Sequence, residues 1–156
     1  MTPGINVAKQ HKIEHRVHEY QHDPGSESYG LEAAEKLGVD VRQVFKTLVV
    51  QLDGRQLAVG VVPVAAKLNM KSMARACGAK KAAMAQRGDV ERSTGYILGG
   101  VSPLGQKKAL PTMIDRSAQG LATVFVSAGR RGLEIELSPD DLKTLVRGDF
   151  ADIAQS

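Results

Sequence analysis

Lys46 interrupts an otherwise apolar series, Val44, Phe45, Leu48, Val49 and Val50. A lysine placed this way has two readings. It carries its ammonium out to water at a strand end, or it is held at the edge of a partly dry pocket. There it would stabilise charge on a carbonyl oxygen or hold a phosphate. The segment Gly99-Gly100-Val101-Ser102-Pro103 is the second candidate. Adjacent glycines let the backbone approach a ligand closely, and successive amides can form an anion-binding concavity. An ordinary turn is the plain alternative. Lys107 and Lys108 follow within a few residues and place cations beside the proposed cradle. Ser127-Ala128-Gly129 ends an apolar run and either closes the same pocket or simply ends a strand.

Other reactive side chains fit chemistry less well. His11, His15, His18 and His22 would share a face of one continuous helix and could bind zinc there. Ile13, Val17 and Pro24 instead favour a strand and a loop, which would point His15 and His18 to opposite faces. No metal site is expected. Cys77 sits on the apolar stripe of Met70 and Met73 and reads as a buried structural thiol. There is no Gly-x-Ser-x-Gly elbow and no Walker loop. The chain therefore offers no conventional nucleophile.

The elements that must position these residues can be read in outline. Asn6–His11 is expected as a short helix, Glu14–Tyr20 as a strand, and 21–28 as a loop around His22-Asp23-Pro24-Gly25. Leu31, Ala34 and Leu37 recur at helical spacing before Gly38. Asp40 starts a one-turn helix, with Gln43 placed for a capping box. Phe45–Leu52 and Gln56–Val64 are the clearest strands, joined by the hairpin signal Asp53-Gly54. Asn69 caps a helix through Met70, Met73, Ala74 and Cys77, and Asp89–Ser93 adds a helical turn. Leu110–Asp115, Ala122–Ser127 and Leu133–Leu137 read as strands. Ser138-Pro139-Asp140-Asp141 opens a last helix that Gly148 ends. Helices and strands are interspersed without regular alternation. The expected fold is α/β: one domain over residues 1–156, with a mixed, mostly antiparallel, barrel-like sheet flanked by α-helices.

Composition narrows the class. The apolar fraction of 42% supports a core, and one cysteine excludes an internal disulfide or a multi-cysteine metal site. No apolar run approaches bilayer length, and the N-terminal residues lack a secretory pattern, so a soluble cytoplasmic protein with no membrane contact is expected. The net charge of +4 and pI near 9.3 favour polyanions. Lys67, Lys71, Arg75, Lys80 and Lys81 cluster around one segment, while Lys107-Lys108 and Arg130-Arg131 form two basic turns. With no Trp, 3 Tyr and 3 Phe, a base-stacking platform is not expected. RNA would be held through phosphates and one terminal nucleotide.

Taken together these residues resemble the YbaK family of Cys-tRNA(Pro) deacylases, within the prolyl-tRNA editing superfamily. The carrying segments run in order along nearly the whole chain: Thr2-Pro3; His18-Glu19-Tyr20 with His22-Asp23-Pro24; Val44-Phe45-Lys46-Thr47-Leu48-Val49; Arg92-Ser93-Thr94-Gly95-Tyr96; and Gly99 to Lys108. Leu110-Pro111-Thr112, Val124-Phe125-Val126-Ser127, Gly132 to Leu137 and the tail Phe150-Ala151-Asp152-Ile153-Ala154 complete it. The resemblance implies a mixed sheet closed toward a barrel. It also implies that Lys46 is the catalytic residue, with Tyr20 and Thr47 beside it. Gly99, Gly100, Val101, Ser102, Pro103, Ser127, Ala128 and Gly129 would line the substrate pocket. Tyr29 stands where the family has an aromatic residue. Glu134 stands where close relatives are expected to have Asp, and a solvent-facing strand position is its plain alternative.

The activity implied is trans-editing deacylation of Cys-tRNA(Pro), with Cys-tRNA(Cys) as a further substrate and no cofactor. The substrate would supply its own reactive groups: either the cysteine thiol attacks the ester, or the terminal ribose hydroxyl activates a water. Lys107, Lys108, Arg130 and Arg131 are expected to bind tRNA, and prolyl-tRNA synthetase is the expected protein partner. The alternatives are hydrolytic editing of another small amino acid such as alanine, and a non-catalytic module that binds tRNA or a synthetase.

Overall fold

Thr2 and Pro3 open the fold. The Thr2 hydroxyl accepts a hydrogen bond from Ile5 N at 3.3 Å, and Pro3 takes the first helical position, so helix α1 (Pro3–Gln10) starts earlier than the expected Asn6. The computed structural model describes residues 1–26 and 29–156, without the side chain of Tyr29. Strand β1 (His15–Glu19) and helix α2 (Tyr29–Leu37) follow. Asp40 then caps a 3-10 turn at Val41–Gln43 by accepting from Arg42 N. Gln43 does not complete the expected capping box; its Nε2 donates to Thr123 O at 3.4 Å.

Strands β2 (Phe45–Leu52) and β3 (Gln56–Pro63) form the expected hairpin. Asp53 and Gly54 take φ of 51° and 68°, the left-handed pair such a turn needs. The Asp53 carboxylate accepts from the amides of Lys80 and Lys81 at 3.0 and 2.9 Å, which pins the turn to the loop after the next helix. The chain continues through β4 (Lys67–Leu68), α3 (Met70–Ala76), β5 (Ala82–Met84) and α4 (Arg87–Thr94). It then runs through β6 (Thr112–Asp115), β7 (Val124–Arg130), β8 (Leu133–Leu137), α5 (Pro139–Val146), β9 (Asp149–Ala151) and β10 (Ala154–Gln155). Helix α4 is longer than expected, and β6 begins only after Pro111, which has no N–H to pair.

The larger sheet has the order β5-β2-β3-β6-β9, antiparallel at β5-β2-β3 and parallel at β3-β6-β9. A second, antiparallel sheet has the order β1-β8-β7, and β4 pairs with β10. Both faces of the β2-β3 hairpin are covered. Val49, Val59 and Val61 pack toward Val126, Ile135 and Leu142, whereas Val50, Ala58 and Val62 pack against Met73, Ala74 and Ile153. Burial on both sides explains why these strands read as continuous β-branched runs.

The mixed sheets and flanking helices agree with the expected class, but among the described residues no closed barrel forms. The two main sheets meet at one isolated parallel bridge, Val44 to Phe125. Beyond it β2 pairs along its whole length with β3, while β7 breaks register with β8 between Ser127 and Arg130. Ladder pairing between β2 and β7 therefore does not propagate, and the two strands splay. A cavity lined by both strands lies between them.

Candidate active site

That cavity holds about 300 Å³. Phe45, Lys46, Thr47 and Leu48 line it from β2, and Ser127, Arg130 and Glu134 from the β7-β8 hairpin. Tyr20, Gly30 and Val64 form one end, and Leu98, Gly99 and Val101 another. The register of β2 explains its role. Val64 N donates to Val44 O at 2.9 Å, so residues 44, 46, 48 and 50 exchange hydrogen bonds with β3. Residues 45, 47 and 49 turn their amides and carbonyls to the opposite edge. Ala85 N takes up Val49 O there, whereas Thr47 presents its backbone where β2 and β7 splay. The Thr47 hydroxyl is buried and has no hydrogen-bond partner among the described residues.

Lys46 lies opposite Val62 on β3 and joins no ion pair among the described residues. Partial burial pulls its ammonium below the ordinary lysine range, and the charge of Lys67 adds to the effect. Glu134 enters from β8, paired with His18 on β1 and Ser127 on β7. It is only 7% exposed, which removes the solvent-facing alternative. Burial pushes its carboxyl up to about 8, so at neutral pH the protonated acid predominates. Tyr20 is fixed by its amide, which donates to Gly132 O at 2.9 Å. Burial, then the negative charges of Glu134 and Glu32, push its phenol up to about 12 and keep it a donor.

One positioning residue carries no motif in the sequence. Glu32 of α2 is 5% exposed. Its carboxylate meets His22 Nδ1 at 2.7 Å, accepts from Asp23 N at 2.8 Å and lies 3.4 Å from Lys36 Nζ. Burial alone would raise this carboxyl. The hydrogen bonds from His22 and Asp23, with the charges of His22 and Lys36, outweigh it and hold the group below its usual range. Glu32 thus straps residues 22–23 to α2, beside Tyr20 and Gly30. A Cβ on Gly30 would fall 2.2 Å from Val64 Cγ1, so only glycine lets α2 approach the residue after β3 this closely.

The expected site residues fall into separate groups. Lys46, Tyr20, Thr47, Gly99, Val101, Ser127 and Glu134 come together in the cavity, and Arg130 and Arg131 stand at its wall. Gly100 is not among the lining residues; it packs on the Arg130 backbone, where a Cβ would meet Arg130 Cα at 2.9 Å. Gly99 has φ of 98°, and a Cβ on it would lie 2.6 Å from Arg131 Nη2. The glycine pair therefore accommodates the Arg130-Arg131 turn. Ser102 is fully buried, and its hydroxyl accepts from Leu104 N at 3.1 Å. Pro103 lies in a groove with Val7 and Thr144, away from the cavity. Ala128 is fully buried with its carbonyl accepting from the Thr2 hydroxyl, and Gly129 packs on Tyr96 and Thr2. Lys108 shares the Pro103 groove, and the Lys107 stem lies against Gly95. The side chain of Tyr29 lies outside the described residues. Sequence reading missed Gly30, Phe45, Leu48, Val64 and Leu98 as lining residues; nothing in their local pattern distinguishes them from core or turn positions.

The histidines and the cysteine lie outside the cavity lining. His18 Nε2 meets Glu136 Oε1 at 2.9 Å, while His11 and His15 turn Nδ1 to the carbonyls of Val7 and Ile13. Cys77 is half-buried rather than fully buried as expected, and lines a depression near Lys80 and Lys81; the burial it has pushes its thiol up, away from the reactive thiolate. Within the candidate cavity no His or Cys is present among the described lining residues, and the Ser127 hydroxyl accepts from Gly129 N at 3.2 Å.

Comparison with known proteins adds to this geometry. The family model described as the aminoacyl-tRNA editing domain matches residues 24–145. An Enterococcus faecalis protein named "Putative Cys-tRNA(Pro)/Cys-tRNA(Cys) deacylase EbsC" is 38% identical over 152 residues, covering 97% of this chain and 92% of that one. Among solved structures, "a putative trans-editing enzyme for prolyl tRNA synthetase" superposes with a TM-score of 0.81 at 25% identity, over 97% of this chain and 92% of the other. A hypothetical protein superposes with a TM-score of 0.86 at 27% identity, over 98% and 99% of the two chains.

Proposed function

The chain belongs to the aminoacyl-tRNA editing domain family, and from that premise we propose that it removes cysteine from mischarged Cys-tRNA(Pro), with Cys-tRNA(Cys) as a further substrate. Aminoacyl-tRNA deacylation is the activity of the family; the cysteinyl substrate and the mechanism are our reading. Residues 1–156 act as one editing domain in the cytoplasm. Prolyl-tRNA synthetase is the protein partner that would supply tRNA identity, a role suggested by the similar trans-editing structure.

One observation carries the mechanism. An ammonium with no ion pair among the described residues, Lys46, shares a cavity with Thr47 of the β2 edge and with Gly99, and among the described lining residues no side chains form a nucleophile–base pair. Such a site can place and stabilise charge but lacks a nucleophile of its own. The substrate supplies one. The cysteine sulfur attacks its own ester carbonyl, forming a C–S bond and a tetrahedral oxyanion. Lys46 and main-chain amides bear that negative charge. Collapse breaks the C–O bond to the terminal ribose, whose oxygen takes up the proton lost by the thiol. The products are uncharged tRNA and a cyclic thiolactone.

Incubating the protein with Cys-tRNA(Pro) and identifying the released compound tests this reading. Thiolactone release supports thiol attack. Free cysteine with no thiolactone intermediate points to water as the nucleophile, and no turnover on any charged tRNA removes the deacylase reading.

A further inference from the structure

Beside the active cavity lies a second depression, of about 530 Å³, that the mechanism does not use. Met1, Ile97 and Leu98 supply its apolar surface and are 81%, 71% and 43% exposed. Large apolar side chains gathered at one exposed place mark a surface that something covers. Arg87, Arg130 and Arg131 line the same depression. Leu98, Arg130 and Arg131 also line the active cavity, so the two spaces are contiguous.

This shelf is held in place from beneath. The Glu91 carboxylate of α4 accepts from Leu98 N at 3.1 Å and from Arg87 Nε at 3.4 Å, tying an apolar and a cationic member to one anchor. Tyr96 is buried, its hydroxyl donates to Leu104 O at 2.6 Å, and Gly129 of the β7 bulge packs against its ring. The backbone that carries Ile97 and Leu98 is thus pinned on both sides.

We propose that this shelf binds the single-stranded 3′ end of tRNA, with one base lying on Ile97 and Leu98 and its phosphate held by Arg87 and Arg130. The inference rests on the reading that the cavity takes the aminoacyl ester. RNA attached to that ester must leave through the cavity mouth, and the shelf adjoins it. Three guanidinium groups line the depression and complement phosphate, and no carboxylate lines it among the described residues; Arg87 meets Glu91 as described, and Glu19 lies 3.8 Å from Arg130. An aliphatic floor meets the face of a base without reading its edge, as suits a 3′ end shared by all tRNAs. A protein partner could also cover an apolar patch, but a cationic strip running into the reactive cavity favours RNA.

The test uses Ile97→Glu and Arg87→Gln, both at exposed positions outside the active cavity. Binding is measured to an uncharged acceptor microhelix ending in single-stranded CCA, and to the same helix trimmed blunt. Each variant should lose at least about tenfold in affinity for the CCA-ended RNA and nothing for the blunt one. Arg87→Gln should also flatten the salt dependence by about 0.7 in log–log slope. Wild-type affinity of both variants for the CCA-ended RNA overturns the proposal, including the case in which they lose synthetase binding instead. The readout needs no turnover. If no charged tRNA is deacylated yet the CCA-dependent pattern appears, the deacylase reading fails and the shelf stands. Deacylation without that pattern is the reverse.

Discussion

Lys46 and Glu134 face one cavity from two different sheets, and burial drives both toward their neutral forms. The ammonium is pulled down, aided by Lys67, and the carboxyl is pushed up to about 8. A site that disfavours both resting charges is poised to respond when a substrate brings charge of its own.

Lys46→Ala removes the cation proposed to bear the oxyanion. Deacylation of Cys-tRNA(Pro) should fall at least about a hundredfold in single turnover, the typical loss for one such donor. The side chain is half-exposed at the start of β2, so the melting temperature should stay close to wild type. A variant that deacylates at the wild-type rate excludes Lys46 from the mechanism.

Attack by the substrate thiol makes the sulfur itself a requirement. Serine- and alanine-charged tRNA(Pro) should react at least about tenfold more slowly than the cysteinyl form at saturating enzyme, since the hydroxyl is a poorer nucleophile and the methyl is none. Equal rates across the three would point to a water mechanism.

Glu134 predicts a pH dependence of stability. Below about 4.5 its carboxyl is protonated whether the chain is folded or not. Between about 4.5 and about 8 the folded protein keeps a proton that the unfolded chain has released. Its contribution is therefore complete at low pH and is lost as pH rises through that window, by at most about 1.4 kcal/mol per pH unit. Glu134→Gln cannot titrate, so the variant should gain on wild type in denaturant midpoint between pH 5 and pH 8. Parallel profiles would show that the wild-type carboxyl is not held protonated.

Glu32→Ala leaves His22 and the Asp23 amide without their buried acceptor. The loss should be about 2–4 kcal/mol of stability. KM should rise more than kcat falls, because Tyr20 and Gly30 border the released strap. Glu32→Gln retains one acceptor oxygen and should recover part of both. The wild-type carboxylate has a lowered pKa, so its contribution is present above about 4.5 and is lost as pH falls through the folded value.

Gly30→Ala sets two effects against each other. Helix propensity favours alanine by about 1 kcal/mol, but the new methyl would sit 2.2 Å from Val64 Cγ1. Overpacking of this kind costs about 1–3 kcal/mol, so the clash should win: lower stability and an altered cavity end, seen as a raised KM. A more stable variant would show that α2 can move off Val64 freely.

Much of the frame was legible in the chain, because its signals act over a few residues. Asp53-Gly54 made the hairpin, Asn69 and Ser138 capped their helices through Ser72 N and Asp141 N, and Pro3 set the first helix where the Asn6 reading was late. Steric limits on φ and hydrogen bonds to the next turn suffice for such features. The resemblance to an editing family was legible too, since it rests on residue order.

What only the tertiary structure decided is which of these residues share a space. The splaying of β2 from β7 depends on one bridge between Val44 and Phe125 and on a bulge after Ser127, elements far apart in the chain. It turned an expected barrel into an open seam and made that seam the cavity. The same packing sent Gly100 and Ser102 inward against Arg130 and Leu104, left Pro103 and Lys108 in another groove, and drove Glu134 out of water. Burial and desolvation are sums over neighbours from the whole fold, so no stretch of sequence carries them. The residue types set what chemistry was available; the meeting of two sheets set where it could happen.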